Sequence, residues 1–201
     1  SYPLAELAVG LVFLVSYLFF PLSLDTFADI SLLVLWLFGL VICAALFIFD
    51  VRWFLLPSKL IYVLDVAALI HRIIFVSFVY QGSLVRALAS ALGSVLVAAG
   101  IFYLLHIYSK GKWIGDGDVR FGVAMGLFLS GPLESWLALF VASVAGLVIS
   151  LPSAISSKNG LKKKVPFGPF LIIGLFILLT IMEVLGNVYF AFGHLDVDKV
   201  R

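Results

Sequence analysis

From Ile30 to Phe49 the chain reads ISLLVLWLFGLVICAALFIF, without one charged side chain. A bilayer core about 30 Å thick is crossed by about 20 helical residues, and apolar runs of this kind recur along the sequence. They predict helices at about 4–20, 30–49, 59–80, 84–108, 119–130, 134–152 and 167–189, the fifth too short for a full span unless its neighbours cover its ends. Charged residues make up 12% of the chain, half of the roughly 25% usual in soluble domains. The expected fold is therefore an all-α integral membrane protein, a polytopic bundle of six to seven transmembrane helices. It forms a single membrane-embedded domain over 1–201, surrounded by lipid and with no feature that points to nucleic acid.

The hydrophilic loops fall at 50–58, 109–118 and 153–165. Arg52, Lys59, Lys110, Lys112, Arg120, Lys158, Lys162, Lys163 and Lys164 lie on one side, against Arg86, Lys199 and Arg201 on the other. The positive-inside rule puts the first set, and these three loops, in the cytoplasm. The stretch Lys158–Lys164, with four lysines and Asn159-Gly160, is expected to be mobile, and Lys162–Lys164 suit contact with anionic lipid. The chain opens at Ser1 with neither Met nor a cleavable signal pattern, so a processed N-terminus or preceding residues are expected. The single cysteine, Cys43, sits in an apolar run and has no intrachain partner for a disulfide.

Ionisable groups in or beside membrane spans are costly and mark candidate sites: Glu6, Asp50, Asp65, His71, Arg72, Asp116, Asp118 and Glu183. Asp50 ends VICAALFIFD, and Asp118 ends IGDGD and opens the next helix. Both are expected at cytoplasmic helix ends, where an aspartate also occurs simply as a headgroup-level residue. Brought together, two carboxylates share a proton, one ionised to activate water and the other protonated to polarise a carbonyl. Gly115 and Gly117 of GDGD admit backbone angles closed to other residues and allow a substrate strand to approach closely. No set of His, Cys and carboxylates has metal-ligand spacing, and no metal or other cofactor is expected.

Four segments go further: YPLAEL at residues 2–7, FDVRWFLLP ending at Pro57, GDGDVR ending at Arg120, and VPFGPFLIIG at 165–174. In this order they resemble the type IV prepilin peptidases, membrane-embedded aspartic proteases of the GxGD type. The resemblance implies catalytic Asp50 and Asp118, with Gly115, Gly117, Arg120, Glu6, Pro57, Pro166, Gly168 and Pro169 binding substrate or supporting the site. Arg120 stands where the family usually has Lys. The resemblance implies an inner-membrane endopeptidase of a prokaryotic cell. It would cut the basic leader of type IV prepilins and pseudopilins, which serve pilus assembly and type II secretion, after a glycine at the cytoplasmic face. The zinc-binding CxxC pairs that accompany N-methylation in many members do not occur, so methyltransferase activity is not expected. The alternatives are a transporter or channel lined by the intramembrane charges, and a non-catalytic pilus-assembly protein on the same scaffold.

Other residues have simpler readings. Asp65 and Arg72 are two helical turns apart on one face and suit pairing with other spans or lining a polar cavity; His71 points elsewhere, towards the interface. Glu6 reads as polar support within the bundle, Asp116 as a solvated loop residue, and Gly131-Pro132 as a turn. Small residues in the fourth and sixth helices permit close packing. Helix dipoles give the two aspartates different roles. Asp118, at a helix N-terminus, is expected as the ionised base. Asp50, at a helix C-terminus, is expected as the protonated acid.

Overall fold

The structure, a computed structural model, describes residues 2–20, 24–80, 83–156 and 165–193. All regular structure among them is helical: α1 (Tyr2–Leu18), α2 (Phe27–Trp53), α3 (Ser58–Ile74), α4 (Leu84–Ser109), α5 (Asp116–Phe128), α6 (Pro132–Ser156) and α7 (Gly168–Gly193), with a π-helical segment (Phe75–Val79) continuing α3. Seven helices thus stand where seven apolar runs lie. Among the described residues four segments, Phe27–Trp53, Ser58–Val79, Leu84–Ser109 and Pro132–Leu151, are long and apolar enough to cross a membrane, and shorter apolar stretches lie at Val9–Leu18 and Gly168–Ile181. The loops are narrower than the sequence suggests: 50–53 is helical, and so is 116–118. The stretch 157–164, with Lys158 and Lys162–Lys164, lies outside the described residues, as does the side chain of Glu183.

Local chemistry sets the helix ends that matter. Thr26 and Asp29 open α2 with a reciprocal capping box, each side chain accepting the other's backbone N–H at 3.2 Å. Phe54 closes it in the left-handed conformation (φ 52°), its N–H bonded to the Asp50 carbonyl at 2.9 Å. Pro57 then precedes α3, where its missing N–H costs nothing. Lys110 (φ 51°) and Gly111 (φ 74°) end α4 in the same left-handed way.

One apolar core joins α2 to α7, and Leu46, Ile61, Leu64, Phe121, Met125, Leu129, Leu171 and Leu175 are sealed within it. Large apolar side chains also cover the outside, Phe27, Phe78, Val85, Leu104 and Leu133 among them. Such a surface suits lipid rather than water. The centre of the bundle is α5, packed chiefly on α4 and α3. Its glycines explain how close it comes: a methyl on Gly126 would sit 2.6 Å from the Cα of Val95, and one on Gly122 2.9 Å from the Cα of Ala99. Backbones in such contact require small residues. Helix α1 is tied to α2 by the Trp36 indole N–H, which donates to Ser16 Oγ at 3.2 Å.

The helix ends gather at two poles. At one meet the end of α2, the start of α3 and the N-termini of α5 and α7, through Asp50, Leu56, Gly117 and Gly168. At the other, the last turn of α3 before its π-helical segment meets the first two turns of α4, the end of α5 and the α5–α6 turn, through Arg72, Ala87, Ser90, Leu129 and Ser130.

Candidate active site

The first pole carries both GxGD-type candidates. Asp50 lies in the last turn of α2 and is buried; Asp118 is the third residue of α5 and is buried. Their helix-end positions are those expected from the sequence. Each accepts a backbone N–H. The Gly168 N–H donates to Asp50 Oδ2 at 2.9 Å, and the Gly115 N–H donates to Asp118 Oδ2 at 3.2 Å. Gly168 is the first residue of α7, so its N–H has no acceptor within its own helix and is free for this bond.

The two carboxylates feel one another. Burial, then the charge of Asp50, pushes Asp118 up to about 6, partly offset by the bond from Gly115. Residues 110–115 hold this helix start in place. His106 Nδ1 pairs with the Ile114 carbonyl at 2.9 Å, and the Trp113 N–H donates to Ser109 Oγ at 3.2 Å.

Leu56 is wedged between the two sides of the site. A methyl on Gly117 would lie 2.8 Å from Leu56 Cβ. One on Gly168 would lie 3.3 Å from Leu56 Cδ2 and 2.7 Å from Asp50 Oδ2. The glycines of GDGD therefore work differently from the sequence-based reading. Gly115 has φ −73°, and neither it nor Gly117 has a positive φ. Gly117 makes room for Leu56, and Gly115 supplies an N–H. Pro57 sets the start of α3 beside that wedge. On α7, Pro169 is buried in the first turn and Pro166 is half-buried. Phe167, between Pro166 and Gly168, packs edge-on against Phe102 at 5.8 Å.

Several other candidates sit apart from the carboxylates. Arg120 pairs with Asp116 at 2.6 Å and donates to the Tyr62 hydroxyl at 2.8 Å. Asp116 is thus the exposed first residue of α5 in an ion pair, rather than a loop residue. Glu6 is exposed on α1, not buried as bundle support. Arg72 and Asp65 do not meet in an ion pair. The Arg72 guanidinium donates to the carbonyls of Leu129, Ser130 and Ala87. The His71 ring packs on Phe128, with 5.3 Å between ring centroids. Cys43 is buried and free. Among the described residues no group of three or more His, Cys, Asp or Glu side chains could hold a metal ion.

Sequence reasoning missed Leu56, the Gly122–Gly126 face, and α7 as a donor to Asp50. A Leu-Pro pair seven residues after the first aspartate and two glycines four apart were visible; the partner of Gly168 was not.

A bundle of apolar helices with two coupled, buried carboxylates at one pole has the make-up of a membrane-embedded peptidase. The profile of the type IV leader peptidase family matches residues 37–151, more than half of the chain, and the chain belongs to that family. The matched stretch contains Asp50, Pro57 and Asp118; residues 2–7 and 165–174 lie outside it. No curated protein and no solved structure matches the chain.

Proposed function

We propose that the chain is a single membrane-embedded aspartic endopeptidase domain that removes the leader of type IV prepilins and pseudopilins, with Asp50 and Asp118 as its catalytic pair. The observation that carries this reading is the placement of two buried carboxylates at one pole, Asp50 held by the Gly168 N–H and Asp118 by the Gly115 N–H. In such a pair one carboxylate is ionised and takes a proton from water, while its neutral partner donates to the scissile carbonyl. The tetrahedral intermediate then collapses as the amine leaves with a proton.

The roles of the two aspartates follow from more than their own helices. The dipole of α2 disfavours charge at Asp50, but the N-terminus of α7 and its Gly168 N–H favour it. Burial, and after it the charge of Asp50, holds the proton on Asp118 against the Gly115 N–H. We therefore assign Asp50 as the ionised base and Asp118 as the proton donor, the reverse of the assignment from α2 and α5 alone.

Arg52, Lys59, Lys110, Lys112 and Arg120 all belong to this pole, which supports a cytoplasmic orientation. The apolar exterior supports a multi-pass location in the inner membrane, in contact with lipid. Prepilin substrates present their cleavage site beside an apolar segment, and a site at the end of a membrane bundle suits that geometry.

The test is turnover of a prepilin by the purified full chain. Leader removal is expected from the native protein and from neither Asp50→Asn nor Asp118→Asn, with both variants folded. Near-native turnover by either variant refutes the pair.

A further inference from the structure

We propose that Arg72 is a positioning residue for Asp118, acting from the opposite end of α5. The inference rests on the catalytic pair assigned above. The 13 residues of α5 span about 20 Å at 1.5 Å per residue, against a hydrocarbon layer of about 30 Å. With Asp118 at one surface, α5 ends well short of the other. The neighbouring helices agree. Beyond Arg72, α3 and its π-helical segment continue to Val79, about 10 Å of helix. Ser90, which meets the same turn, lies six residues into α4 from its start at Leu84, about 9 Å of helix. The turn at 129–131 is therefore recessed within the bundle.

A turn buried there keeps the carbonyls just beyond α5 from water, so donors must come from the protein. Gly131 is served by the Ser135 N–H of α6 at 3.1 Å, whereas Leu129 and Ser130 receive side-chain donors. Arg72 Nη1 donates to Leu129 at 3.4 Å and Nη2 to Ser130 at 3.3 Å; Nη2 also reaches Ala87 at 3.5 Å. Ser90 Oγ donates to Ser130 at 2.5 Å, and Ser94 Oγ to Gly131 at 3.3 Å. Arg72 is buried and forms no direct ion pair among the described residues. Its charge faces both the negative end of α5 and the nearby Glu134 of α6, and its fork reaches two neighbouring carbonyls as a lysine ammonium does not.

The Gly122–Gly126 face sets the distance between the axes of α4 and α5. Phe121, Met125 and Phe128 bury the other faces of α5 in the core, and Arg72 adds a fixed point at its end that bears on its position along the axis. Arg72 sets that position, and with it the level at which the first turn presents Asp118 to Asp50.

The test uses the full chain reconstituted in lipid, with a leader-bearing prepilin as substrate. Misplacing a catalytic group by 1 Å can cost about 10²-fold in rate. We expect Arg72→Met to lower kcat about tenfold or more while KM stays within about threefold. The pH limb set by Asp118 should shift, because its spacing from Asp50 changes. Arg72→Lys should recover part of the loss. Native kcat and an unmoved pH limb in folded Arg72→Met overturn the inference, and so does a fall in kcat with the limb unmoved. If Arg72→Met does not fold, Ser90→Ala removes another donor to Ser130; the same shift at smaller size is expected, and native kinetics overturn the inference. Asp118→Asn run in parallel separates the two readings: its inactivity with native Arg72→Met rejects only the positioning role, whereas its activity rejects the catalytic pair.

Discussion

The backbone N–H of Gly168 donates to Asp50 Oδ2 at 2.9 Å, joining residues 118 positions apart. The bond places the N-terminus of α7 against a carboxylate that the sequence associates only with the end of α2. A methyl at Gly168 would lie 2.7 Å from that oxygen, closer than carbon and oxygen approach without displacement. Gly168→Ala should therefore lower kcat about tenfold or more by moving Asp50. The helix itself should be little affected, since alanine is tolerated in a first turn. Parallel measurement of turnover and thermal unfolding checks this: native turnover in a folded variant means that the contact does not position Asp50.

How much of this was legible in the sequence depends on the range of the interaction concerned. Apolar runs located all seven helices, because a span announces itself through composition over one continuous stretch. Asp50 and Asp118 stood out because charge is costly beside such runs. The partners of those charges were not legible. Arg72 and Asp65 share a face of α3, yet Arg72 serves carbonyls of α4 and of the α5–α6 turn. Asp50 meets the N-terminus of α7 as well as the end of its own helix. The glycines of GDGD looked like sites of unusual backbone, whereas Gly117 is a packing contact for Leu56. Each miss concerns a contact across the bundle, which local pattern does not encode.

The two aspartates of GDGD should behave oppositely. Asp116 is exposed and paired with Arg120, and exposed pairs contribute about 0–1 kcal/mol. Asp116→Asn should keep turnover within about threefold of native, while Asp118→Asn should be inactive. Steady-state assay of the two variants side by side decides. Loss of activity in both would mean that the Asp116–Arg120–Tyr62 group contributes to the chemistry.

Close packing of α5 on α4 should tolerate no bulk at Gly126. A methyl there would lie 2.6 Å from the Cα and 2.8 Å from the N of Val95, atoms of a backbone that cannot rotate away. Gly126→Leu should destabilise the bundle by about 1–3 kcal/mol, the usual cost of overpacking. Unfolding in mixed micelles measures the change, and native stability would show that α4 and α5 separate without loss.

The titration of Asp118 should appear in both stability and rate, and for a proton donor both decline as pH rises. Its carboxyl is held up to about 6 from an ordinary 3.8 by burial and by the charge of Asp50. The folded protein thus binds this proton more tightly than the unfolded chain does. Stability should fall as pH rises from about 4 to about 6, by on the order of 3 kcal/mol, and then level off above the folded value. Asp118→Asn should remove this contribution and flatten the slope. For the rate, the sign discriminates between the roles. If Asp118 is the proton donor, kcat/KM, which reports the free enzyme, should decline as pH rises through about 6. If it were the ionised base, kcat/KM should instead decline as pH falls through the same value. Substrate that closes over the pair removes more water and should move the limb in kcat upward from that in kcat/KM. Measuring both profiles on a prepilin substrate, with Asp118 followed by carboxyl-resolved NMR, tests the assignment. An acid limb near 6 in kcat/KM, with Asp118 losing its proton before Asp50, would reverse it.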